Sequence, residues 1–401
     1  MPRILSGKRS SVSRKHSGLF STVLSHLQVA FLLSLEKQFA MSRFSIDSNI
    51  ARAKTLDTSY YTSIETFEAS KEKIFAQSWQ RIGDSDMVND KGSAHPFTLL
   101  EHYINEPLLL TRDKQGALHC MSNVCTHRGN LMVYEPCKLN QLRCKYHGRQ
   151  FSLDGKFMTM PEFKEVEDFP TEADNLHKLP LFEWGKLLFT SLHPQLKAED
   201  YFGEMMKRME WFPMDKLKLA PERCNDFIVK ANWALYCENY LEGFHIPFVH
   251  AGLNQVLDFG EYTTEVFKYC NLQLGIGKKG DVCFDLPKSS PDYGKDVAAY
   301  YFWVFPNMMF NFYPWGLSFN LVQPLSVSEC KVSFITYVTD ESKLDSGAGS
   351  GLHTVEMEDE EVVQNVQKGI RSRFYTHGRY SVKHEKGTHH FHSLIAQFMN
   401  A

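Results

Sequence analysis

Two short segments, CTHRG at 125–129 and CKYHG at 144–148, each set one cysteine and one histidine within three residues and close on a glycine. Sixteen residues separate His127 from Cys144. Thiolate and imidazole together call for a transition metal, and a metal shared by two loops fixes those loops against one another. Structural zinc is usually held by Cys-x2–4-Cys or His-x3–5-His pairs. A [2Fe–2S] centre with two cysteines on one iron and two histidines on the other needs each loop to give one ligand to each iron. Cys125 with His127, and Cys144 with His147, meet that second demand. Gly129 and Gly148 let the loop backbone turn tightly and leave N–H groups free to point at sulfur. Cys120 and Cys137 read as plain buried thiols.

The chain around these loops is β-rich. From 79 to about 190, short alternating runs such as QRIGD, GALHCMSNVC and GKLLFTSL are cut by Gly, Asn, Asp and Pro, which predicts a small all-β domain over 79–192 with the metal loops between its strands. Before it, 41–78 is a lead-in with a helix in SIETFEASKEKIFAQSW. After it, 193–401 reads as α+β. AEDYFGEMMKRMEWF predicts an amphipathic helix and roughly 231–246 a second. AAYYFWVFPNMMFNFYP, GLSFNLVQPL and CKVSFITYVTD predict long strands, and helices at about 354–375 and in HHFHSLIAQFMN close the chain.

The first 40 residues differ. Arg3, Lys8, Arg9, Arg14, Lys15 and Lys37 stand against one acid, Glu36, and the apolar stretch at 19–35 is broken by His26 and Gln28 and is short for a membrane span. Such a segment suits a targeting peptide or a misassigned start before Met41. A net charge of −3 gives no footprint for nucleic acid. Nine scattered cysteines in a chain of 401 residues point to a reducing, cytoplasmic setting, with organelle targeting by 1–40 as the alternative.

A second constellation lies in YCENYLEGFHIPFVH at 236–250. On one continuous helix Glu238, Glu242 and His245 would share a face, while His245 and His250 would stand about 140° apart. Pro247 loosens the turn between them and lets both imidazoles reach one point. Two histidines and one carboxylate form the facial triad of non-haem iron(II) oxygenases. The carboxylate has to come from elsewhere, and VEMEDEEVVQNVQKGIRSRF offers Glu356, Glu358, Asp359, Glu360 and Glu361. With Val362, Val363, Val366 and Ile370 as the apolar face, Asp359 continues that face inward and Glu356 is the second choice. GIGKKG at 275–280 lacks a βαβ setting and is set aside as a dinucleotide site. His389, His390 and His392 are assigned to packing.

CTHRG and CKYHG, with FSLDGKF after them, resemble the Rieske domain of ring-hydroxylating oxygenases. ENYLEGFHIPFVH and EDEEVVQNVQKG resemble the catalytic motifs of their α subunits, above all the branch acting on choline and carnitine. The likeness runs over most of residues 60–395. It implies a Rieske cluster on Cys125, His127, Cys144 and His147, and mononuclear Fe(II) on His245, His250 and Asp359. It further implies a helix-grip (Bet v1-like) catalytic domain with an antiparallel sheet, and a ring of three subunits. Glu242, beside Asn239, would link the iron histidine to a Rieske histidine of the neighbouring subunit. Two positions depart from the family: Lys145 stands where proline is frequent, and Arg149 where tryptophan is frequent. Neither loop carries the extra cysteine of respiratory Rieske proteins, which implies the lower-potential oxygenase type.

The resulting expectation is an oxygenase component that uses O2 and electrons from a separate reductase, with or without a ferredoxin, to hydroxylate a small aromatic or quaternary ammonium compound. NAD(P)H and flavin would act only through that reductase. Trp303, Tyr301, Phe310, Phe312, Tyr313 and Trp315 are candidates for an aromatic pocket. The alternative is an electron carrier or a zinc-stabilised binding protein, which would leave the second constellation without a role.

Overall fold

A computed structural model describes residues 43–256 and 259–401. The basic extension at 1–40 lies outside the described residues. The lead-in helix runs Ile64–Ser70 and continues through a wider turn, Lys71–Phe75. Ser63 caps its start, accepting from the N–H of Thr66. The lead-in is tied to the end of the chain: Phe44 N donates to Asn400 Oδ1 at 3.2 Å, and Asn400 Nδ2 returns to Phe44 O at 2.6 Å.

Short strands fill the region from Gln80 to Thr190, as the alternating runs predict. One sheet pairs Gln80–Asp84, Leu187–Thr190 and Leu181–Trp184; a second runs Cys137–Lys138, Ser93–Leu99, Glu106–Arg112, Leu118–Ser122, Lys178–Leu179; a third pairs Leu142–Arg143, Gln150–Phe151 and Phe157–Thr159. Leu109, Met121, Leu142, Phe151 and Leu153 form the core beneath the two cysteine–histidine loops.

The following part is one antiparallel eight-stranded sheet with helices. Helix α1 is Ala198–Arg208. The strands are β1 (Lys218–Leu219), β2 (Asn225–Val229), β3 (Thr263–Val266), β4 (Cys270–Ile276), β5 (Val297–Val304), β6 (Met308–Tyr313), β7 (Gly316–Ser326) and β8 (Glu329–Val338), in the order β1-β8-β7-β6-β5-β4-β3, with β2 also paired to β8. The run from 298 to 314, read as continuous, folds back at Phe305–Asn307 into β5 and β6. GIGKKG falls on the end of β4 and the turn after it, and the next element is β5, so no helix follows to receive a phosphate.

Because side chains alternate along a strand, β5 and β6 present two different faces. Phe310 and Phe312 point to the back, where they meet Trp184 at 6.0 and 6.1 Å between ring centroids. Phe310 also meets Phe202 of α1, and Phe312 meets Phe212 just beyond it. On the front, Gln273, Tyr301, Asn311, Ser318 and Thr336 pair strand to strand in one row across β4 to β8. Helices α2 (Trp233–Tyr240), α3 (Leu352–Gly369) and α4 (Lys386–Asn400) complete this part of the chain. Trp303 packs edge-on to Phe391 of α4 at 5.1 Å.

Two helices are shorter than the sequence suggests. The one expected over 231–246 stops at Tyr240, and the one expected to 375 stops at Gly369. On α3 the buried positions are Glu356, Val363 and Gln367, followed by Ile370, whereas Val366 is exposed. The apolar stripe is therefore narrower than predicted and carries polar groups at both levels. Asp359 remains on its inner side.

Two candidate metal sites

The two cysteine–histidine loops have the same backbone form. In the first, Cys125 N donates to Asn130 O at 2.8 Å and Gly129 N to Cys125 O at 3.0 Å; in the second, Cys144 N donates to Arg149 O at 2.8 Å and Gly148 N to Cys144 O at 3.0 Å. Closing each ring takes a left-handed residue: Gly129 has φ +71° and Gly148 φ +77°. Both thiols are buried, and the His127 and His147 rings lie 4.7 Å apart, edge to face. His147 Nδ1 is buried with no hydrogen-bond partner among the described residues, as a nitrogen reserved for a ligand would be. Burial raises the Cys144 thiol, but the N–H groups of Tyr146 and His147, together with Cys125 and Asn130, outweigh it and hold it below its ordinary value. The donors and the amide groups aimed at sulfur fit an iron–sulfur cluster. Cys120, by contrast, is pushed up to about 12 by burial, as an inert thiol.

The second site is built where α2 ends. Asn232 caps the helix start, accepting from Ala234 N, a contact worth about 1 kcal/mol. Leu241 N closes the last turn on Cys237 O and Glu238 O. Gly243 then lets the chain pass Tyr262, whose ring a Cβ would approach to 2.6 Å. Glu242 Oε2 accepts from the N–H groups of Phe244 and His245, and Oε1 lies 2.7 Å from His245 Nδ1. A single turn follows over Ile246–Val249, with Pro247 in the first-turn position that needs no N–H, and it delivers His250. Glu238, Glu242 and His245 thus do not share a helix face: Glu238 stays on α2, 3.0 Å from His392, while Glu242 and His245 lie beyond it.

His245 Nε2 is 3.1 Å from His250 Nε2; Asp359 Oδ1 is 3.0 Å from His250 Nε2 and 3.6 Å from His245 Nε2. Donors at about 2.1 Å from one divalent ion and at right angles to each other sit about 3 Å apart, so this set fits one. Both imidazoles are held from behind, His245 by Glu242 and His250 by Glu358, whose Oε2 lies 2.7 Å from Nδ1; Asn239 Nδ2 donates at 2.6 Å to Asp359 Oδ1, the oxygen that faces the histidines. Glu356 is not in this set; its Oε2 accepts from Tyr236 OH, and its Oε1 is buried without a hydrogen-bond partner among the described residues.

A cavity of about 110 Å³ opens beside the three donors. Tyr240, Tyr262, Tyr301 and Tyr313 line it, with Gln273, Asn311 and Ser318 from the polar row of the sheet and Glu356 from α3. Of the aromatic candidates from the sequence, Tyr301 and Tyr313 reach it; Trp303, Phe310 and Phe312 are spent on packing elsewhere, and Trp315 stacks behind Tyr313 at 5.1 Å. Tyr240, Tyr262 and Gln273 carry no signal in the sequence reading, and Glu358 stands there only as one of five candidate acids for the third ligand. Strand alternation from Tyr301 could have found Gln273 once the register was known; the role of Glu358 has no signal in the chain, since an acid near a helix start reads as dipole compensation.

Comparison with known proteins covers both parts. Residues 78–170 match the Rieske [2Fe–2S] domain, and residues 202–401 match the ring hydroxylating alpha subunit (catalytic domain). The chloroplastic choline monooxygenase of Arabidopsis thaliana is 30% identical over 366 residues, covering 86% of this chain and 83% of that protein. The carnitine monooxygenase oxygenase subunit of Escherichia coli K12 is 28% identical, covering 87% and 95%. The fold is shared with a quaternary ammonium Rieske monooxygenase (TM-score 0.71, 24% identity, 88% and 100% covered). It is also shared with naphthalene 1,2-dioxygenase from Rhodococcus sp. (TM-score 0.66, 19% identity, 86% and 94% covered).

Proposed function

Since the chain belongs to the ring-hydroxylating α-subunit family of Rieske non-haem iron oxygenases, we propose that it hydroxylates a small organic cation, of the quaternary ammonium kind, in the cavity beside His245, His250 and Asp359. As members of that family do, it carries a [2Fe–2S] cluster and a mononuclear iron and works with a reductase. The single observation behind the substrate class is the cavity wall. Five tyrosines, Tyr236, Tyr240, Tyr262, Tyr301 and Tyr313, line it, with the buried carboxyl of Glu356 at one side. Ring faces attract a cation.

Cys125, His127, Cys144 and His147 would hold the cluster, and His245, His250 and Asp359 the iron. When bound, these groups supply electron relay and dioxygen activation. The chain's own part is to aim and to exclude water. Glu242 keeps the proton of His245 on Nδ1 and Glu358 keeps that of His250 on Nδ1, so both Nε2 lone pairs face the same point. Asn239 holds Asp359 by one oxygen. Glu356 and Tyr236 keep a proton between them at the cavity wall.

We also propose a homotrimer in which Glu242 meets a Rieske histidine of the next subunit. Apolar surface supports a neighbour there: Phe248, close to Glu242 in the chain, is 81% exposed. The Rieske domain is taken as 79–192 and the catalytic domain as 193–401, between Thr190 at the end of a strand and Ala198 at the start of α1. Nine free cysteines favour a reducing compartment such as the cytoplasm, and among the described residues no helix is long and apolar enough to cross a membrane. A ferredoxin between reductase and oxygenase is consistent with this reading.

The test is turnover with a surrogate reductase against choline, carnitine, betaines and simple aromatic acids. Product formed from the trimethylammonium compounds, with matching O2 consumption, supports the reading; oxidation of the aromatic acids alone overturns it.

A further inference from the structure

Arg149 stands directly after the second metal loop, and only 2% of it is exposed. Its guanidinium carbon lies 4.9 Å from the Phe157 ring centroid, 5.2 Å from Phe169 and 5.7 Å from Phe151. Among the described residues its only charged partner is Asp174, at 2.7 Å, and its Nε has no acceptor. An unexchangeable cation in such surroundings costs stability unless something offsets it. Its neighbours tie it to both loops. Its own carbonyl accepts from Cys144 N, while the Asp174 carbonyl accepts from Arg149 Nη2 and from Thr126 Oγ1, between Cys125 and His127.

We propose that Arg149 is a positioning residue that raises the reduction potential of the cluster and so favours its loading by the reductase. The inference rests on Cys125, His127, Cys144 and His147 being the cluster ligands. Reduction by one electron from the reductase would add one negative charge to the group that these four residues hold; no bond forms or breaks. A fixed cation at low dielectric lowers the energy of that added charge, and cluster potentials respond to local charge in this way. Asp174, its anion, partly offsets the effect, which gives the inference two opposite signs.

The experiment is a redox titration of the purified holoprotein followed by its visible and circular dichroism spectra. Arg149→Met should lower the reduced-to-oxidised ratio at a fixed poise about tenfold, equivalent to about 59 mV for one electron. Arg149→Lys should recover part of that loss, and Asp174→Asn should shift the ratio upward. A purely structural role would move Arg149→Met and Asp174→Asn in the same direction, or neither, and either result overturns the inference. If Arg149→Met does not retain the cluster, an unchanged potential in Asp174→Asn is sufficient to overturn it. Failure of the ligand assignment is seen separately, as a wild-type spectrum that survives Cys144→Ala.

Discussion

Glu358 and His250 are joined back to back with the iron site: Oε2 lies 2.7 Å from Nδ1, while Nε2 of the same ring faces Asp359 and His245. Such outer carboxylates commonly contribute about 10–100-fold to metal affinity. Glu358→Gln should therefore weaken iron binding by about that factor, read by chelator competition, with the visible spectrum of the cluster unchanged. Wild-type iron affinity in this variant would show that the contact holds the ring without supporting the metal.

Asp359→Ala and His245→Ala should each lower iron from about three atoms per chain to about two, abolish product and leave the cluster colour intact. Glu356→Ala should keep all three. Loss of mononuclear iron from Glu356→Ala, but not from Asp359→Ala, would transfer the ligand role to Glu356.

Glu356 is raised to about 8, by burial first; the Tyr236 hydrogen bond opposes this, and the neighbouring Asp359 and Glu360 add to it. In the unfolded chain it ionises near 4.5. Between those values the folded chain holds a proton that the unfolded chain has lost, so this group's contribution to stability declines as pH rises through that window. Relative to Glu356→Gln, which cannot titrate, the wild-type melting temperature should fall between about pH 5 and pH 8. Parallel profiles would mean that the carboxyl is ionised in the folded protein.

Tyr301→Leu and Tyr313→Leu remove ring faces from the cavity. A cation–π contact of about 0.5–2 kcal/mol corresponds to a rise in KM between about twofold and thirtyfold. The rise should be seen with a trimethylammonium substrate and should be much smaller for binding of its neutral tert-butyl analogue. Equal losses for both compounds would indicate shape rather than charge recognition.

The two metal constellations were legible because ligand chemistry forces residue types into short segments. Cys125 to Gly148 and His245 to His250 are each readable without knowing what lies across the fold. Asp359 was reachable because helical periodicity turns spacing into direction, although the stripe that pointed to it proved wrong at Val366. The cavity was not legible. Its wall comes from a row that crosses four strands, from Gln273 to Ser318, and strand register cannot be read from single strands. For the same reason Phe310 and Phe312 seemed equivalent to Tyr313, though alternation and the packing of Trp184 send them to the opposite side of the sheet. The end of α2 at Tyr240 escaped prediction because Glu242 makes its bonds with the backbone ahead of it, a local competition that helix spacing does not reveal.

Glu242 and Glu358 hold the two imidazoles from outside and Asn239 steadies Asp359 at its inward oxygen, so little rearrangement is left for an incoming ion to induce. Two imidazoles and a carboxylate do not by donor type favour iron(II), and several first-row divalent cations bind such nitrogen and oxygen donors more tightly. Which cation occupies the seat is then decided by supply while the polypeptide matures, and an overexpressed preparation would carry zinc in proportion to the zinc in its medium.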